Sequence, residues 1–83
     1  MFGNKIKRQI KIQIETQIND LKLYLENNYK DLAIEARKEA ISLIEEHYKK
    51  GNLKEKDYMK YQKILGEYTE LMKDYNHQQF YRT

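Results

Sequence analysis

Two histidines, His47 and His77, carry the side chains that titrate nearest neutral pH, and they fall in different segments with no HExxH or other ligand-spaced set around them. A metal or general-base site needs several such groups to converge. His47 lies on the apolar face of a predicted helix and reads as a packed, hydrogen-bonded histidine. His77 reads as a solvated one in the tail. The hydroxyls of Thr16, Ser42, Thr69 and Thr83 belong to no nucleophile motif. Glu45 with Glu46, and Glu67 with Glu70, have the look of paired carboxylates. In a chain that is 35% charged, however, such neighbours arise on solvated helix faces. Glu35 with Lys38 and Glu70 with Lys73 suit helical ion pairing instead. No catalytic residue, metal or cofactor is expected, and the chain reads as non-enzymatic.

Binding chemistry has two better candidates. Lys5, Lys7, Arg8 and Lys11 all precede the first acid, Glu15, with Gln9, Gln13 and Gln17 interleaved among isoleucines. Lysines hold phosphate as point charges, and Arg8 or the glutamines can reach base edges, so this segment is a candidate nucleic-acid surface. It could also lie on an anionic membrane with Ile6 and Ile10 facing down, or simply be a solvated helix end. A helix-turn-helix would need a short recognition helix, and none is found. The second candidate is tyrosine, of which there are eight. Tyr58, Tyr61, Tyr68 and Tyr75 share one helical seam, where tyrosine serves either as core or as a binding hot spot.

Those side chains must be positioned by helices. The chain has no proline and three glycines, so little interrupts helical runs. A first helix is predicted near 4–26, with Asn4 as N-cap and Ile6, Ile10, Ile14, Ile18, Leu21 and Leu25 on one face. Ile12 and Leu23 lie well off that stripe, so the helix offers more apolar surface than one neighbour covers. Asn27 and Asn28 make the first break, with Asn28 expected to cap a second helix near 29–49. On that helix Leu32, Ala33, Ala36, Ala40, Leu43, Ile44 and His47 line one face, and Ile34, Ile41 and Tyr48 form a second stripe. Lys49, Lys50 and Gly51 supply the ending, cations followed by a residue free to take positive φ. The third helix, near 54–76, has Leu53 as a hydrophobic staple. It carries a coiled-coil-like seam of Tyr58, Tyr61, Leu65, Tyr68, Met72 and Tyr75, widened by Ile64 and Leu71. Gly66 inside it suggests a close crossing.

The expected architecture is a single all-α domain over 1–83, an antiparallel three-helix bundle. Its rival is a hairpin of the second and third helices with the first used for oligomerisation. Tyr48-Lys49-Lys50-Gly51 through Leu53, Met59-Lys60-Tyr61 and Leu65 resemble the helical hairpin of the small sporulation aspartyl-phosphate phosphatases. That family carries Ser-Gln-Glu-Leu-Asp where this chain has Gln62-Lys63-Ile64-Leu65-Gly66. Only the leucine matches, glycine replaces the functional aspartate, and the resemblance carries no activity with it.

Composition excludes several classes. Without cysteine there is no disulfide scaffold, thiol nucleophile or cysteine-held metal. No apolar run approaches the length of a membrane span, so a soluble, cytoplasmic protein is expected. A net charge of +3 is wrong for an acidic DNA mimic and slight for a histone-like condenser. Abundant Lys, Ile, Asn and Tyr point to a low-GC genome, bacterial or viral. The expectation is therefore a small helical regulator or accessory factor of a phage, mobile element or low-GC bacterium. It would dock apolar and tyrosine surface, through Ile6, Ile10, Ile12, Tyr58, Tyr61 and Tyr68, on a protein partner or on itself. The alternative is nucleic-acid binding through Lys5, Lys7, Arg8 and Lys11.

Overall fold

A computed structural model describes residues 2–73, with side chains from Lys5 onward. It consists of α1 (Phe2–Glu26), α2 (Lys30–Lys49) and α3 (Glu55–Leu71). Cross-helix bonds fix their directions. Between α2 and α3 the tied pairs are Tyr48 with Tyr58, Glu45 with Gln62 and Arg37 with Thr69, so one number falls as the other rises. Between α1 and α3 they are Lys11 with Asp57 and Glu15 with Tyr61, so both rise together. The order is up, down, up. This is the antiparallel three-helix bundle, in a shape 48 × 22 × 19 Å across.

The rival hairpin is excluded by where α1 packs. Its tightest partner is α2, and Ile10, Ile14, Ile18 and Leu21 are buried with Ala33, Ala36, Ala40 and Ile44. Small side chains on α2 leave the room that the α1 isoleucines fill. Leu53, Tyr61, Leu65 and Met72 complete the core, and no side-chain polar atom is left buried and unpaired among the described residues. The stripe predicted on α1 ends early, however, because Ile6 is 56% exposed. Continuing the 11/57 register puts Ile6 level with Asn52, in the turn before α3 begins, so α3 itself does not reach it.

Both turns use the same closing device, in which the two N–H groups after the helix bond back to its last carbonyls. At the first turn Asn28 N–H donates to the Leu25 carbonyl and Tyr29 N–H to the Tyr24 carbonyl, with Asn28 at φ 61°. The Tyr24 and Tyr29 rings meet at 6.4 Å across it. Asn28 therefore closes α1 and does not cap α2; Tyr29 holds the N-cap position without a side-chain bond. At the second turn Gly51, at φ 78°, donates to Tyr48 and Asn52 to His47, as the glycine led one to expect. His47 is half-buried there, with Nδ1 3.5 Å from the Asn52 amide nitrogen.

Four further expectations need correction. The first helix begins at Phe2, so Asn4 lies inside it and not at its N-cap. The third ends at Leu71, earlier than predicted, while Tyr75 and His77 lie outside the described residues. Leu32 and Leu71, assigned to packed faces, are 50% and 69% exposed because each sits at the edge of its helix's buried arc. Gly66 marks no crossing, since a Cβ there would meet nothing within 4 Å. Gly66→Ala should therefore stabilise the fold by about 1 kcal/mol, the helix-propensity difference, seen as a higher urea midpoint. A lower midpoint would mean that the position is crowded after all.

Candidate functional site

The N-terminal half of α1 and the α2–α3 turn enclose a groove of about 370 Å³. From α1 come Lys7, Arg8, Lys11, Ile12 and Glu15; from the turn and the start of α3 come Asn52, Leu53, Lys54 and Asp57. The bundle's direction brings them together. With α1 and α3 parallel, both helices start at this end, and the turn leading into α3 closes it.

The two carboxylates of the groove are already engaged. Lys11 Nζ stands 3.6 Å from Asp57 Oδ2. Glu15 Oε2 accepts the Tyr61 hydroxyl at 2.6 Å. Burial of the ring, reinforced by that carboxylate, pushes the Tyr61 phenol well above the usual tyrosine range, so it stays protonated as a donor. By contrast, no carboxylate pairs with Lys7, Arg8 or Lys54 among the described residues, and all three are exposed. Ile12, 49% exposed, forms an apolar wall beside them.

The six residues expected to meet a partner separate into three kinds. Ile6 and Ile12 are exposed. Ile10 and Tyr61 are core, at 7% and 1% exposure, and offer a partner no surface in the folded chain. They sit on the inward arcs of α1 and α3, which the stripe itself required. Tyr58 is half-buried, stacked on Tyr48 at 3.8 Å and donating to Glu45 Oε2 at 2.8 Å. That bond raises the Tyr58 pKa. Tyr68 is half-buried against the core. Of the four basic residues, Lys5, Lys7 and Arg8 point to solvent, whereas Lys11 is held by Asp57.

Sequence reasoning overlooked Lys54 and Asp57 as neighbours of the basic segment, and Glu45 as an anchor of α3. Glu45 accepts from both Tyr58 and Gln62, tying α2 to α3. Its sequence neighbour Glu46 pairs instead with Lys50, one helical turn on, which lowers its pKa. The two carboxylates face different partners. Among the described residues no three His, Asp or Glu side chains cluster to hold a metal, and no helix is long and apolar enough to cross a membrane. No protein-family model matches the chain, and no curated protein or solved structure shows significant similarity to it.

Proposed function

We propose that this chain is a non-enzymatic helical interaction protein, a small regulator or accessory factor that docks exposed apolar helix surface on a protein partner or on a second copy of itself. The observation that carries this reading is the second apolar face of α1. Ile12 and Leu23 are eleven residues apart, which at 100° per residue returns them to nearly the same side of the helix, opposite the buried stripe. They are 49% and 45% exposed. Binding energy would come from covering Ile12 and Leu23, and also Ile6 at the uncovered start of the buried stripe, with the lysines at the rim setting orientation and on-rate.

Methyl NMR tests this residue by residue. Between dilute and concentrated protein, or on adding a partner, the Ile12 and Leu23 methyls should shift while Ile14 and Ile44 stay put. Spectra in which the exposed and buried methyls behave alike would count against docking on this face.

A second reading is nucleic-acid binding, favoured by the unpaired, exposed Lys5, Lys7 and Arg8. Against it, Lys11 is engaged by Asp57 and the Tyr48 and Tyr58 rings stack on each other, so that among the described residues no aromatic platform lines the groove. Phosphate contacts would show as an affinity for single-stranded oligonucleotide that falls steeply with salt.

A further inference from the structure

Charge in this bundle is divided by height. The Glu15–Tyr61 and Glu45–Tyr58 bonds mark a level across all three helices. Below it lie residues 5–15 and 46–61, with nine Lys and Arg against four Asp and Glu, a net charge of +5. Above it lie residues 16–45 and 62–73, with six against eight, a net charge of −2. The modest total therefore conceals a basic end and an acidic end.

Each end also exposes apolar surface. At the basic end this is Ile12, which lines the open groove, and Ile6, which lies on another side of α1. At the acidic end the α1–α2 turn projects Tyr29 and Leu32, 54% and 50% exposed, flanked by the exposed carboxylates of Glu26 and Asp31. One end carries a cationic groove, and the other exposes apolar side chains beside carboxylates. A nucleic-acid strand fits the groove less well. Among the described residues nothing aromatic lines it, and Glu15 and Asp57 interrupt its row of cations.

We propose that the groove receives the α1–α2 turn of a second copy, so that the chain associates head to tail. This rests on the reading of the chain as an interaction protein and names its partner. Tyr29 of the incoming copy lies against Ile12, while its Glu26 and Asp31 meet Lys7, Arg8 and Lys54. Two different patches form the contact, so each added copy presents a fresh groove or a fresh turn. Such a heterologous contact grows with concentration and does not stop at a two-fold dimer.

Sedimentation velocity on the full chain at low salt tests this with two charge-reversed variants. Arg8→Glu with Lys54→Glu reverses the groove; Glu26→Lys with Asp31→Lys reverses the turn. All four side chains are exposed, and circular dichroism checks that each variant keeps its helices. Wild-type protein should sediment faster as concentration rises, and each variant alone should associate at least tenfold more weakly. Mixing the two variants should restore association, because each then offers the other a complementary partner surface. A wild-type monomer at every concentration would overturn the proposal. So would a dimer of fixed size, or association that both reversals leave intact, although either would leave docking through apolar surface standing. Sedimenting material that absorbs at 260 nm and clears at high salt would overturn both readings in favour of nucleic acid.

Discussion

Tyr61→Ala should remove a large share of the stability of this fold. Tyr61 is the largest of the fully buried side chains, at 1% exposure. Truncating a buried aromatic to alanine costs about 3–5 kcal/mol through lost burial and the cavity left behind. A domain of 83 residues has about 4–12 kcal/mol in total at 0.05–0.15 kcal/mol per residue. The variant should therefore melt well below the wild type by circular dichroism. Tyr61→Phe separates the two roles of the side chain. It removes only the hydroxyl that donates to Glu15, whose exposed carboxylate can turn to water instead. That loss should be about 1 kcal/mol, the net value of a typical hydrogen bond. If the two variants were equally destabilised, the hydroxyl bond and not the packed ring would be what holds α3 to α1.

Ala40→Leu should destabilise from the opposite cause. Ala40 has no exposure, and it lies in a run of small residues, Ala33, Ala36 and Ala40, that faces the α1 isoleucines. Added methylenes in a filled core force side chains off their rotamers or helices apart, typically at about 1–3 kcal/mol. Leucine is as good a helix former as this helix needs, so propensity will not mask the effect. Ser42→Leu on the exposed face of the same helix is the control, expected to stay within about 0.5 kcal/mol. Urea titrations followed at 222 nm compare the pair. Equal midpoints would mean that α1 and α2 are not closely packed at Ala40.

The architecture was largely legible because helical periodicity records burial directly. Ile10, Ile14, Ile18 and Leu21 recur at helical spacing and are core, as are Tyr61, Leu65 and Met72 on the third seam. Gly51 announced a turn because few other residues take its φ. Asn28 shows the limit of that reasoning. Asparagine suits both an N-cap and a left-handed closing position, and only the backbone bonds decide between them. Gly66 was misread for a similar reason: its missing side chain is equally consistent with a crossing and with open solvent.

The candidate site was half legible. Composition at the chain's start displayed Lys7, Arg8 and Lys11, and Ile12 stood out by lying off the stripe. Lys54 and Asp57 could not be joined to them without knowing that α1 and α3 run parallel, because residues distant in sequence meet only through that register. Ile10 and Tyr61 were offered as contact residues although they belonged to the very stripes assigned to the core. A stripe wide enough for both jobs does not say which of its members face inward. Ile12 differs because it lies on the side of α1 away from Ile14 and the rest of the buried stripe.

Light scattering during size-exclusion chromatography at low salt, on untagged wild-type protein and the Ile12→Glu variant, tests the central claim most directly. Absorbance at 260 and 280 nm is recorded with it, since tyrosine alone supplies the protein signal in a chain without tryptophan. If the exposed face of α1 docks on a second copy, the wild type elutes with a protein-like ratio at a mass above 10.2 kDa, and Ile12→Glu returns it to 10.2 kDa with its helicity intact. Equal masses for the two proteins would contradict that account, and the exposed isoleucine would then be surface without a use.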